Sequence, residues 1–189
     1  GVECKTCLKD TYITDDNGEA VAHDNVKDCV ACATGKFANA GQRVCDSCTA
    51  GKEATTSTDA SSSSCDACAV GHYSAVETDS ICEKCPQGFY QSIEGAPYCL
   101  PCIPGKYQND EGKTDCKPCA TNTFSADIER KKACDSCASG RTSKTNASSC
   151  SECAAGKIQN SVTNGCDNCG LGEYRGGADD ATTCLKCLP

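Results

Sequence analysis

Every one of the 22 cysteines in this chain of 189 residues stands in a Cys-x-x-Cys pair. The pairs are Cys4 and Cys7, Cys29 and Cys32, Cys45 and Cys48, Cys65 and Cys68, Cys82 and Cys85, Cys99 and Cys102, Cys116 and Cys119, Cys134 and Cys137, Cys150 and Cys153, Cys166 and Cys169, and Cys184 and Cys187. From the second pair onward the first Cys recurs every 16 to 20 residues, and only the opening interval, 25 residues, departs from this. Such a period is the size of one small supersecondary unit, so the chain reads as a tandem array. Leu, Ile, Val and Phe together also number 22, too few for a shared apolar core. Cross-links have to take the place of that core.

Thiols in this number persist as disulfides only outside the reducing cytosol, which predicts an extracellular or cell-surface setting. The sequence holds no signal peptide and no apolar run of membrane-spanning length, and it begins three residues before its first Cys. It therefore reads as a processed chain or a fragment of a longer array, with no membrane insertion in this segment. The net charge is −8, from 26 acidic and 18 basic side chains spread along the array. That balance disfavours nucleic acid and anionic membranes as partners.

A second regularity lies three residues after the second Cys of each pair: Asp10, Gly35, Gly51, Gly71, Gly88, Gly105, Asn122, Gly140, Gly156 and Gly172. Gly, Asn and Asp are the residues that tolerate positive φ, so each repeat is expected to need a turn with a left-handed residue there. Two residues further stand Tyr12, Phe37, Tyr73, Tyr90, Tyr107, Phe124 and Tyr174, with Glu53, Thr142 and Ile158 as departures. One aromatic per unit is expected to form its private core, burying on the order of 150–250 Å², worth a few kcal/mol at about 25 cal/mol per Å². Closing a loop of about 15 residues by a disulfide adds roughly 3 kcal/mol. The repeats opened by Cys48 and Cys137 lack the aromatic and should be the loosest. Alternations such as Gly88-Phe89-Tyr90-Gln91-Ser92, followed by the turn residues Glu94 to Pro97, read as small two-stranded hairpins.

Two disulfide pairings fit the repetition. In one, the second Cys of each pair bonds the first of the next: Cys7–Cys29, Cys32–Cys45, Cys48–Cys65, Cys68–Cys82, Cys85–Cys99, Cys102–Cys116, Cys119–Cys134, Cys137–Cys150, Cys153–Cys166 and Cys169–Cys184. Each repeat is then a closed loop, the two residues inside each Cys-x-x-Cys are joints between loops, and Cys4 and Cys187 face partners beyond the array. In the other, neighbouring pairs bond in parallel, as Cys4–Cys29 with Cys7–Cys32; this consumes pairs two at a time and leaves one of eleven over. The first is preferred.

Cys-x-x-Cys spacing also suits a four-Cys zinc site. Eleven pairs do not divide into fours, however, and a turn residue plus an aromatic accompany each pair as a packing motif would. A thioredoxin-like centre needs one pair at a helix start in a βαβ setting, and here the pairs are equivalent. His23 and His72 are isolated, no Ser/His/Asp grouping or opposed carboxylate pair can be argued, and no enzyme, metal or cofactor is expected. Asp15-Asp16-Asn17-Gly18-Glu19 lacks the alternating acids and distal Glu of a calcium loop and reads as a polar turn. Asn146-Ala147-Ser148 is the one acceptor motif for N-linked glycan, in a plausibly exposed loop. The Ser/Thr stretch 54–64 reads as a flexible loop.

The motif Cys-x-x-Cys-Pro-x-Gly-x-Tyr, followed by about nine residues to the next Cys, resembles the ephrin-receptor-like cysteine-rich repeat; the nearest copies are Cys82 to Tyr90 and Cys99 to Tyr107. The same loop is similar to the first module of tumour-necrosis-factor-receptor cysteine-rich domains, and the runs of Cys-x-x-Cys with Ser/Thr/Ala/Gly-rich loops resemble protist variant surface proteins and immobilisation antigens. The likeness runs from Cys29 to Cys187, with one Pro directly after a second Cys, at Pro86. It implies the loop-closing disulfides and structural roles for the Gly and Tyr positions. The expected fold is small and disulfide-rich, an elongated array of short hairpin repeats with little regular secondary structure: residues 1–28 as an irregular first repeat with a long acidic loop, 29–189 as repeats of about 17 residues. The expected function is a non-catalytic extracellular rod or spacer in a surface filament, coat or matrix, partnered by other surface proteins or by itself. The alternative is a ligand-binding or antigenic ectodomain, with loop 13–28 as the candidate binding element.

Overall fold

A computed structural model of the chain describes residues 7–8, 10–13, 29–33, 35–55, 64–75, 81–160, 162–163, 165–177 and 182–188. Each repeat starts with the same turn. The amide four residues after the second Cys donates to the carbonyl one residue after it, as Phe89 to Pro86 (3.1 Å) and Lys106 to Ile103 (3.1 Å). The residue at the third position of this β-turn needs positive φ, as in type II turns. All ten turn residues have it, from 60° at Asp10 to 86° at Gly88 and Gly105.

The turn sends the chain into a short strand, and ten antiparallel hairpins follow. They pair Thr11–Ile13 with Cys29–Ala31, Lys36–Phe37 with Asp46–Ser47, Lys52–Thr55 with Ser64–Ala67, His72–Tyr73 with Glu83–Lys84, and Phe89–Tyr90 with Leu100–Pro101. The series continues with Lys106–Tyr107 and Lys117–Pro118, Thr123–Phe124 and Asp135–Ser136, Arg141–Thr142 and Ser151–Glu152, Lys157–Asn160 and Gly165–Asn168, and Glu173–Tyr174 and Leu185–Lys186. No helix occurs among the described residues.

Ten disulfides close these loops: Cys7–Cys29, Cys32–Cys45, Cys48–Cys65, Cys68–Cys82, Cys85–Cys99, Cys102–Cys116, Cys119–Cys134, Cys137–Cys150, Cys153–Cys166 and Cys169–Cys184. Their Cα atoms lie 5.4–5.8 Å apart, within the usual range for the bond. Fold class and architecture are those of a small disulfide-rich tandem repeat array.

Two expectations need correction. The residues inside the Cys-x-x-Cys pairs from Cys29 onward are not joints. They form the second strand of the hairpin, Leu100 facing Tyr90 and Pro101 facing Phe89. The next residue extends the same ladder, with the Cys102 amide donating to the Gly88 carbonyl at 2.8 Å. One repeat's last rung is therefore the next repeat's first Cys, and no free hinge separates them. For the same reason the partner of the Phe89–Tyr90 strand lies beyond the Glu94 to Pro97 turn.

The second correction concerns the core. The aromatics are half-buried, and Tyr174 is 49% exposed. The deeply buried side chains stand one residue later: Ala38, Ser74, Gln91, Gln108, Ser125 and Arg175, each at most 3% exposed. With them are buried Cys7, Cys48, Cys68, Cys85, Cys102, Cys116, Cys119 and Cys153. Strand alternation explains the exchange, since successive side chains take opposite faces and here the inner face carries the small or amide residue.

Where the aromatic is missing, hairpin lengths differ: the repeat opened by Cys137, with Thr142 in its place, pairs over two residues. The repeat opened by Cys48, with Glu53 in that place, pairs over four residues, Lys52 to Thr55.

The chain forms two compact units, Gly1–Cys85 with Gln91–Cys99, and Pro86–Tyr90 with Leu100–Pro189. The first holds the hairpins from Thr11 to Lys84, and the second holds those from Phe89 to Lys186.

Candidate functional site

The recurring contact surface is the joint between successive repeats, and backbone groups build it. In the first unit the turn amides of Asp10, Gly51 and Gly71 donate to carbonyls of the next repeat, at Ala38 (2.7 Å), Ser74 (2.8 Å) and Gln91 (2.7 Å). Those acceptors belong to the buried residues described above. A return bond runs from the next repeat's loop to the carbonyl of the second Cys: Gly41 to Cys7 (3.1 Å) and Gly95 to Cys68 (2.8 Å). In the second unit the forward bonds are Gly88 to Gln108 (2.8 Å), Gly105 to Ser125 (2.8 Å), Asn122 to Ser143 (3.0 Å) and Gly156 to Arg175 (2.8 Å). The returns are Glu129 to Cys102 (2.9 Å) and Asn146 to Cys119 (3.0 Å).

The return donors form a second row of left-handed residues, with φ of 83° at Gly41, 70° at Gly95, 55° at Glu129 and 63° at Asn146. Sequence reading missed this row. Its spacing from the second Cys shifts between nine and ten residues, and it admits Glu.

The joint also reaches the next repeat but one. A Cβ placed on Gly51 would lie 2.5 Å from the carbonyl carbon of Gly95, one on Gly88 2.8 Å from that of Glu129, and one on Gly105 2.7 Å from that of Asn146, each with the carbonyl oxygen nearer still. Each pair is two repeats apart. These glycines are required for space as well as for φ. Gly156 and Gly172, in the last two repeats, have no described atom within 4 Å of such a Cβ.

Side chains reinforce the joint where they can satisfy buried backbone. Gln91 and Gln108 each cap their own loop: the amide nitrogens donate to the Tyr98 and Asp115 carbonyls (both 2.8 Å), and the amide oxygens accept from the Ile93 (3.0 Å) and Asp110 (3.1 Å) amides. Gln159 reaches back a repeat, accepting from the Gly140 amide at 2.7 Å and donating to the Arg141 carbonyl at 3.0 Å. Arg175 goes further. Its guanidinium donates to the carbonyls of Cys153, Ala154 and Lys157 in the preceding repeat, so at Cys153 it does what a loop amide does elsewhere.

Arg130, its side chain 4% exposed, donates to Asp135 (2.7 Å), Asp127 (3.3 Å) and the Lys132 and Ala133 carbonyls. That guanidinium, hydrogen-bonded to Asp135, holds the carboxyl below the usual carboxylate range, and the guanidinium's own pKa rises in turn. Outside the joint, the Lys117 hydrogen bond lowers Asp110, and a hydrogen bond to Glu83 raises the Tyr73 hydroxyl.

Among the described residues, no group of three His, Cys, Asp or Glu side chains is placed to hold a metal ion. The His72 Nδ1 lies 3.2 Å from the Val70 carbonyl. Cys187 is free and exposed. Asn146 is exposed on its turn. Cys4, His23, the Asp15 to Glu19 turn, residues 56–63 of the Ser/Thr stretch and residues 14–28 of the candidate binding loop lie outside the described residues. No helix among the described residues is long and apolar enough to cross a membrane.

No curated protein matches the chain. Residues 55–98 and 94–129 each match the family described as tyrosine-protein kinase ephrin type A/B receptor-like. Each matched segment contains the turn, the disulfide and the hairpin strands that recur through the array. Ten disulfides and this likeness are marks of an extracellular domain of a cell-surface protein. Residues 55–129 are similar to the ephrin-receptor-like cysteine-rich repeats and lie within a longer run of hairpins closed in the same way.

Proposed function

We propose that the chain is a non-catalytic extracellular spacer, part of a surface filament, coat or matrix protein. The observation that carries this reading is the joint itself. Forward backbone bonds of one form recur in both units, from turn residues as different as Asp10, Gly88 and Asn122, and return bonds accompany them at Cys7, Cys68, Cys102 and Cys119. A net hydrogen bond of this kind is worth about 1 kcal/mol, so the one or two at such a joint add modestly to the disulfide of each loop. Repeats that contact only near neighbours extend in one dimension, and such architectures serve as spacers and as long contact surfaces. Their partners here would be other surface proteins or further copies, met through exposed loop residues such as Val44, Ile93, Tyr98 and Ile128. Small-angle scattering of the full chain with its disulfides intact tests the reading. An extended profile is expected, and a compact globular one would remove the spacer role.

A further inference from the structure

The geometry points to Asn146 as the attachment site of an N-linked glycan on the folded array. The inference rests on the extracellular reading above. Asn146 occupies the return-bond turn of its repeat, with φ of 63°, and its backbone is held in the joint: its amide donates to the Cys119 carbonyl, and its own carbonyl sits against Gly105. Its side chain leaves the joint. The residue is exposed, and its carboxamide makes no hydrogen bond among the described residues.

Positive φ alone would account for Asn here, because Asn tolerates it better than most residues. Ser148 argues for more. It is exposed, two residues on in the direction an Asn-x-Ser acceptor requires, and its hydroxyl also has no hydrogen-bond partner among the described residues. The fold therefore makes no use of that hydroxyl. The intervening Ala147 is half-buried, its carbonyl accepting from the Ser125 amide at 3.1 Å, so the joint holds the backbone in the middle of the motif and leaves the Asn146 and Ser148 side chains exposed. The donor class is a lipid-diphosphate-linked oligosaccharide. The Asn146 Nδ2 forms a bond to C1 of the first sugar, the bond from C1 to the diphosphate oxygen breaks, lipid diphosphate leaves, and a base takes one Nδ2 proton.

The full chain, secreted from eukaryotic cells behind an added leader, tests this. Peptide N-glycosidase in heavy-oxygen water is expected to leave a labelled Asp at 146 in the wild type and in Ser148→Thr, and none in Ser148→Ala. Asn146→Gly is expected to lose the label while melting like unglycosylated wild type, because Gly keeps the turn. A secreted chain with ten disulfides and no label at 146 would overturn the site and leave the spacer reading standing. Label at 146 on a chain without those disulfides would keep the site and sink the extracellular scaffold.

Discussion

Replacing Gly88 by Ala separates the two demands that the joint makes on its turn residue. An Ala at φ of 86° bears left-handed strain of about 1–2 kcal/mol. Its Cβ would also stand 2.8 Å from the Glu129 carbonyl carbon, where ordinary contact is about 3.5–4.0 Å, so the Glu129 turn would have to retreat by about 1 Å. That movement stretches two buried bonds: Glu129 amide to Cys102 carbonyl, and Gln108 amide to Arg130 carbonyl, both 2.9 Å. At about 1 kcal/mol each, the total reaches about 3–4 kcal/mol. Gly172→Ala is the control, since φ is 76° and no described atom lies within 4 Å; only the strain of about 1–2 kcal/mol remains. Guanidinium unfolding with disulfides intact gives the two stabilities, and hydrogen exchange should show the Glu129 and Gln108 amides opening in Gly88→Ala. Equal losses in the two variants, with those amides still protected, would refute the contact two repeats away as the reason for Gly.

Arg175→Ala should cost about 3 kcal/mol, because the buried Cys153 carbonyl and the Ala154 carbonyl lose a charged donor. Arg175→Lys should recover little of it, since a single ammonium cannot fork across three carbonyls; amide exchange at Lys157 and Gly156 reads both. Asp135 titrates below the ordinary carboxylate range in the folded chain. The stability it lends is therefore full above the unfolded Asp pKa of about 3.9 and is lost as pH falls through the lower folded value. Asp135→Asn should flatten the acid limb of melting temperature against pH, and an unchanged limb would show that the Arg130 pair is not its source.

The period and the ten-membered turn row were legible because each rests on residues with few substitutes: Cys for the bond, and Gly, Asn or Asp for positive φ. The buried row was not legible. Ala38, Ser74, Gln108 and Arg175 share no hydropathy, and what they share is a carbonyl taken by the repeat before, together with a side chain that fits or caps beneath it. Two-residue strands leave no alternation to detect, so Leu100 and Pro101 read as a hinge although they are paired. The aromatics drew attention for their size, yet Tyr107 and Phe124 lie on the half-open face while Gln108 and Ser125 lie inside. The two side chains of the acceptor motif, Asn146 and Ser148, were visible in sequence; that they are exposed while the joint holds the backbone between them was not.

The reach of the Gly51, Gly88 and Gly105 turns to the next repeat but one also sets an order of assembly. A chain emerging amino end first can close its disulfide and its hairpin within one repeat, but the slot beside Gly88 fills only when Glu129 arrives, about two periods later. The growing tip therefore always carries two unfinished repeats.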